Sequence, residues 1–271
     1  MRIENPAEFA RAVRMSAAET LCRTRDSHIG GGYSSADILA VLYTKILGLT
    51  PEHLDDPNRN VFLLSKGHIA ATFYTTLAYA GLIPMDDLAL HVADGGNYAG
   101  HTRRFVVPGV EMSAGSLGHG ANLGTGIAYA KKLQGLSGRV FVLMGDGECN
   151  EGSVWEAAML AARFALNNLV MIVDRNRLQA YGYDEQVLNM GDLAEKFRAF
   201  GCRAVDVNGH DYAALEELFS EAGLDGDPRP TAVIAHTVKG KGVSFMEDRL
   251  EWHFKSPNEE QLAQALEELG R

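Results

Sequence analysis

Short apolar runs set between long helical stretches constrain this chain more than any other feature. Val61-Phe62-Leu63-Leu64 has no polar position, the mark of a strand buried on both faces. Residues 139–144 and 169–174 read the same way, and 202–207 and 231–236 are further strand candidates. Helical patterns cover about 68–80, 118–134, 152–165 and 211–222. Before the first strand, residues 6–24 read as a helix with Pro6 near its start. A second helix runs from a cap at Ser34 or Ser35 to about Leu47, which leaves Ser27 to Tyr33 as a glycine-bearing loop. Residues 91–116, also rich in Gly, read as loop. Strand and helix then alternate to the end, which requires parallel crossovers. The predicted fold is α/β, a doubly wound, mostly parallel sheet flanked by helices. The 271 residues suit a single domain over 1–271, long enough to bury a full core without staples. Sheets of this kind bind ligands at the carboxyl ends of their strands, so position along the strands ranks the motifs.

One motif stands at such an end. Gly145-Asp146-Gly147-Glu148-Cys149-Asn150-Glu151-Gly152 follows strand 139–144, and its glycines permit a sharp turn that leaves Asp146 at the rim. The next strand ends in Asp174-Arg175-Asn176-Arg177-Leu178. Neighbouring strands would place Asp146 and Asn176 side by side as hard oxygen ligands, which suits Mg²⁺ or Ca²⁺. Mg²⁺ keeps phosphates and waters while taking one or two protein side chains. A metal-bridged diphosphate follows, with the helix near Gly152 offering backbone N–H groups. A Gly-Asp-Gly triplet alone is a common turn; the strand, the helix and the following Asp-x-Asn make this one specific. Asn167-Asn168 precedes its strand and belongs at the opposite sheet edge, as a helix C-cap and loop.

Charge limits the partners. Lys and Arg number 25 against 35 Asp and Glu, a net charge of −10 with no basic tract. That excludes a nucleic-acid or membrane-surface binder, and an anionic ligand must be held by local groups against the overall field. Cys22, Cys149 and Cys202 show no CxxC spacing, so no disulfide framework or zinc site is expected and a reducing cytoplasm is. No apolar stretch reaches 18 residues and no signal-like start is seen, so no membrane span is expected.

GDGECNEG with the downstream DRNRLQ resembles the thiamine-diphosphate motif of transketolases. Four further segments are similar to the family's in the same order: Ser27-His28-Ile29-Gly30-Gly31, Leu64-Ser65-Lys66-Gly67-His68, Gly100-His101 with Gly115-Ser116-Leu117-Gly118-His119-Gly120, and Thr237-Val238-Lys239-Gly240-Lys241-Gly242 with Glu251-Trp252-His253. Together they span about residues 10–256. The resemblance implies metal ligation by Asp146 and Asn176 side chains and the Leu178 backbone oxygen. It places His68, Gly145, Gly147 and His253 around the diphosphate, and Gly115 and Leu117 at the aminopyrimidine end. It makes His28, His68, His101 and His253 the proton-shuttling wall of a sugar channel, work that histidine suits because it titrates near neutrality. Glu151 resembles the carboxylate at the contact that links two active sites.

Other residues stay open. His119 stands where the family often has Gln, and is either cofactor-facing or structural. Arg103 and Arg104 bind a sugar phosphate or form a solvated pair; Lys239 and Lys241 close over ligand or form a surface turn. His53, His91, His210 and His236 read as structural, Cys149 as packing, and the acidic C-terminal helix as a solvated face.

A full transketolase has three domains, and only the first is resembled here. Nothing matches the pyrimidine-binding domain, whose glutamate activates the cofactor. The resemblance therefore implies the N-terminal subunit of a split transketolase. It would transfer a two-carbon ketol unit between sugars or sugar phosphates, using thiamine diphosphate and Mg²⁺ (or Ca²⁺). A C-terminal transketolase subunit carrying the pyrimidine domain is the expected partner, in an α2β2 assembly. The alternatives are a deoxyxylulose-phosphate-synthase-like enzyme, the E1 α subunit of a 2-oxo-acid dehydrogenase, or a non-catalytic partner subunit. The four histidines argue against the dehydrogenase.

Overall fold

The computed structural model describes residues 3–270; the domain expected over 1–271 includes Met1, Arg2 and Arg271, which lie outside them. In chain order the elements are α1 (Pro6–Thr24), α2 (Ile29–Val41), β1 (Val61–Leu64), α3 (Ala70–Tyr79), α4 (His119–Gln134), β2 (Val140–Gly145), α5 (Gly152–Arg163), β3 (Leu169–Arg175), the single turn α6 (Asp184–Val187), α7 (Leu193–Ala199), β4 (Arg203–Asn208), α8 (Tyr212–Phe219), α9 (Glu221–Leu224), β5 (Thr231–His236) and α10 (Glu259–Gly270). The strands form one all-parallel sheet in the order β1-β2-β3-β5-β4. This is the α/β architecture that the alternation of elements requires.

The apolar runs divide between two faces at every second residue, as strand geometry demands. Phe141, Leu143, Val170, Ile172, Val233 and Ala235 join the core under α2, α3 and α8. Val142, Met144, Met171, Val173, Ala232 and Ile234 join the core under α4, α5 and α7. Only β4, at the sheet edge, is half solvated. Outside these layers α10 lays Ala265 and Leu269 against Ala17, Ala18 and Leu21 of α1. No helix among the described residues is long and apolar enough to cross a membrane.

The glycine triplet departs from expectation. Residues 29–33 are not loop, and neither Ser34 nor Ser35 is a cap: α2 begins at Ile29, behind a left-handed His28 at φ 72°. The helix is buried along its whole length, so burial outweighs the poor helix propensity of three glycines. The glycines serve close packing. A Cβ on Gly32 would stand 2.0 Å from the Thr72 hydroxyl of α3. Inside the helix, Ser34 and Ser35 both donate to the Gly31 carbonyl, at 3.0 Å, and to Asp174 at the end of β3.

The register sets the site. Gly145 pairs with Asp174 and Arg175 with His236, so three central strands release their chains at one edge. Asn167 and Asn168 lie at the other edge, where the Asn168 carbonyl accepts from the Val140 N–H that starts β2.

Candidate active site

Two turns meet at the carboxyl edge. The Asp146 carboxylate accepts the Gly147 N–H at 2.8 Å and, across the strands, the Arg177 N–H at 2.5 Å. Arg177 is left-handed, φ 65°, which folds the second turn back over the first. Within that turn the Asn176 side-chain oxygen accepts the Leu178 N–H at 3.1 Å, and its amide donates to Ser34 Oγ and Asp174. Asp146, Asn176 and Leu178 thus converge, an all-oxygen set of one carboxylate, one amide and one carbonyl. Asp146 is 5% exposed, and among the described residues it has no ion-pair partner. Burial and the neighbouring Asp174 raise its pKa. Such a carboxylate lacks a cation.

Three histidine rings pack beside these turns. The His28 centroid is 5.0 Å from both His68 and His253, and His68 is 5.9 Å from His253. His101 stands at the open end, 6.2 Å from His28. The His28 backbone N–H donates to the His253 carbonyl, which joins the two distant loops directly. Lys239, almost fully buried, donates from Nζ to the Leu178 carbonyl and to His253 Nδ1, each at 2.8 Å. Because an ammonium only donates, a neutral His253 carries its proton on Nε2.

Burial dominates the electrostatics of the cluster. It brings His28 down to about 4, helped by His101, Lys239 and Lys66 and opposed by Asp26. It brings His253 to about 3, with Lys239 the next cause, and holds His68 well below the ordinary value, with Lys66 next. Burial and Lys66 lower Lys239 to about 8. The three rings are therefore neutral at pH 7. A consequence is measurable: unfolded histidines gain protons near pH 6.5, while the folded rings refuse them until about pH 4. Protons then bind the unfolded chain preferentially, so stability is full above pH 6.5 and falls as pH drops toward 4. Denaturant melts should show this slope, and replacing His28 and His253 together by Gln should flatten it.

Sequence reading passed over the groups that hold these loops together. The buried Glu148 carboxylate accepts from Ser65 Oγ, from the Gly118 N–H at 2.8 Å and from the Gly145 N–H at 3.2 Å. One side chain thereby binds the loops after β1 and β2 to the start of α4. Behind it the Lys66 ammonium pairs with Asp174, both fully buried, and donates to the Gly31 carbonyl and Ser35 Oγ. Thr237 Oγ1 donates to the same carboxylate. Asp26 accepts from His91 and from the Ser27 N–H, while Ser27 Oγ meets His28 Nδ1 at 2.8 Å. Glu148 lay inside the Gly-Asp-Gly motif, and a carboxylate in a tight turn between glycines was its only signal.

The remaining candidates are more peripheral. Gly115 is exposed and a Cβ there would meet no protein atom within 4 Å; the same is true of Gly145, half-buried at the rim. Leu117 is half-buried. Glu151 is exposed at the start of α5, its Cβ 2.7 Å from where a Gly118 Cβ would stand. His119 is exposed on the first turn of α4. Arg103 and Arg104 are exposed, and Arg104 lies over the Phe105 ring at 4.4 Å. Lys241 pairs with Glu247 on the surface. His53 meets Thr50, and His236 pairs with Asp206 of the edge strand.

Comparison with known proteins gives a consistent picture. Residues 6–271 match the family described as transketolase, thiamine diphosphate binding domain. One of the two subunits of an apulose-4-phosphate transketolase from Actinobacillus succinogenes is 40% identical over 242 residues, 89% of this chain and 87% of that one. A 6-deoxy-6-sulfo-D-fructose transketolase subunit from a Clostridium species is 32% identical, covering 97% of this chain and 95% of the other. Among solved structures, transketolase from Leishmania mexicana superposes with a TM-score of 0.93 at 30% identity over all of this chain. The chain spans only 42% of that protein's length.

Proposed function

This chain belongs to the transketolase family, and from that premise we propose that it is the N-terminal, diphosphate-binding subunit of a split transketolase. In this reading residues 1–271 act as one domain, and a second chain brings the pyrimidine-binding domain in an α2β2 assembly in the cytoplasm. Two relatives named as separate subunits match it nearly end to end, whereas the Leishmania enzyme is more than twice as long. The observation that carries the proposal is the juxtaposition at one sheet edge of a histidine cluster with an oxygen-only cation site. The reaction is transfer of a two-carbon ketol unit between sugars that are phosphorylated or similarly anionic.

The residues present fit the cofactor. Asp146 is a buried carboxylate without a cation, and the Lys239 ammonium already sits on the Leu178 carbonyl as a stand-in. Gly115 and Gly145 keep open the space that side chains would fill. Asp146, Asn176 and the Leu178 oxygen would hold Mg²⁺ (or Ca²⁺), two side chains being what Mg²⁺ takes beside phosphate. His68, His253, Lys239 and the backbone at Gly145 and Gly147 would hold the diphosphate. Gly115 and Leu117 would bound the aminopyrimidine, with Glu151 at the contact between two copies. Bound thiamine diphosphate supplies the carbon nucleophile that the protein lacks.

What the chain adds is proton handling. Its histidines are neutral at pH 7 and free to accept a proton from a substrate hydroxyl. His253 presents Nε2–H to a substrate oxygen while Lys239 holds Nδ1. His28, oriented by Ser27, and the exposed His101 carry the same function toward the channel mouth. Burial of three rings in contact excludes water from the reacting region.

Calorimetric titration of thiamine diphosphate with Mg²⁺ into this chain plus its partner tests the reading. Saturable, EDTA-sensitive binding is expected. Absence of binding in the presence of the partner would overturn it and leave a non-catalytic subunit.

A further inference from the structure

His210 lies outside the histidine cluster, in the loop between β4 and α8. Its partners sit in three separate elements. Nδ1 lies 2.6 Å from the Asp37 carboxylate of α2, and Nε2 accepts the backbone N–H of Val238 at 2.8 Å. A backbone N–H can only donate, so Nε2 carries no proton and Nδ1–H donates to Asp37. One tautomer satisfies both contacts, and it is the neutral one.

The anchor behind the ring is stiff. Asp37 also accepts both terminal nitrogens of Arg14, at 2.9 and 2.7 Å, and the Tyr212 hydroxyl at 2.5 Å. Arg14 NH2 in turn donates to the Tyr33 carbonyl at 2.9 Å. The ring therefore projects from a buried junction of α1, α2 and α8. What it holds is one residue from Lys239, whose ammonium reaches Leu178 and His253. The far side of that segment is pinned by the Gly240 N–H on the Gly30 carbonyl, at 2.9 Å. Gly209 allows the close approach: a Cβ there would lie 2.4 Å from Thr237 Cγ2.

We propose that His210 is a positioning residue, which through the Val238 N–H sets the Lys239 segment against the histidine cluster and the Leu178 carbonyl. Its bearing on the cofactor rests on the function proposed above; its bearing on the segment does not.

Two substitutions separate the ring's contacts. The side-chain oxygen of Gln reaches the place of Nε2, so His210→Gln keeps an acceptor for Val238. The amide of Asn reaches the place of Nδ1, so His210→Asn keeps the donor to Asp37 and loses the acceptor. Hydrogen exchange of the full-length chain, followed by mass spectrometry, is expected to show residues 237–248 exchanging about tenfold faster or more in His210→Asn. In His210→Gln the segment should stay near wild type, and the β2 and β3 peptides should be unchanged in both. Nitrogen-15 spectra of the histidine-labelled wild type should show His210 unprotonated at Nε2, a readout that needs no variant to fold. With the partner present, His210→Asn should weaken Mg²⁺-dependent thiamine diphosphate binding by roughly 10–100-fold, the usual cost of losing an outer support. The proposal is overturned by a protonated Nε2, or by segment exchange that is equal in the two variants and follows their melting temperatures. If the wild-type complex binds no thiamine diphosphate, the functional reading fails while exchange and spectra still decide this one.

Discussion

Asp146→Ala is expected to abolish Mg²⁺-dependent binding of thiamine diphosphate while the chain stays folded. The loss should exceed the roughly 10–100-fold that removal of an outer support costs, because a direct ligand and its charge both go. The same carboxylate joins the turns after β2 and β3 through Gly147 and Arg177, so alanine also orphans two N–H groups. Asp146→Asn separates these effects, since it keeps an oxygen for the turn and loses the charge. Burial and Asp174 push the Asp146 pKa up, which means that the ionised group opposes folding in the metal-free chain. The folded pKa lies above the unfolded one, so this cost appears as pH rises through it. Asp146→Asn should therefore not lower the metal-free melting temperature, yet should bind no metal. Such a pairing of lost function with undiminished stability marks a functional residue. Calorimetry and thermal melts on the two variants check both halves.

Lys66→Met should be the most destabilising single change at the site. It removes the cation from a fully buried pair and leaves Asp174 charged among Ser34, Ser35, Thr237 and Asn176. Breaking such a pair from one side costs about 3–5 kcal/mol, or on the order of 10 °C in melting temperature for a chain of this length. Asp174 is held below the ordinary carboxylate range because Lys66 outweighs its burial. Without Lys66 burial acts alone, and the folded pKa rises above the unfolded one. The variant should then gain stability as pH falls through the raised value, where neutral Asp174 needs no partner. Melts at pH 7 and pH 5 test the sign. A fall at pH 7 with no recovery at pH 5 would mean that Lys66 acts through packing.

What could be read from the sequence followed physical range. The strands were legible because runs such as Val61 to Leu64 and Leu169 to Val173 are too apolar for anything but a sheet covered on both sides. Asp146 and Asn176 could be placed as neighbours because parallel order fixes which strand ends meet. The start of α2 was not legible. Glycines at 30–32 read as loop by local propensity, and only the approach of Thr72, forty residues on, makes them helical. Glu148, Lys66 and Asp26 were missed for the same reason. Each is defined by partners from distant loops, and a lone charged residue in sequence reads as solvated. His210 was assigned a structural role, and its contact with Val238 became visible only once β4 and β5 were adjacent.

The same geometry states what is absent from this chain. It offers a metal site, neutral proton acceptors and a glycine-lined rim, but no matched counterpart to more than half of the Leishmania enzyme. The central claim is that catalysis needs a second chain. The most direct measurement is two-carbon transfer from a ketose phosphate to an aldose phosphate, with thiamine diphosphate and Mg²⁺ saturating, by this chain alone and by the chain reconstituted with its partner. The expected result is no transfer above background from the isolated chain and turnover that saturates with added partner. Full turnover by the isolated chain would contradict it.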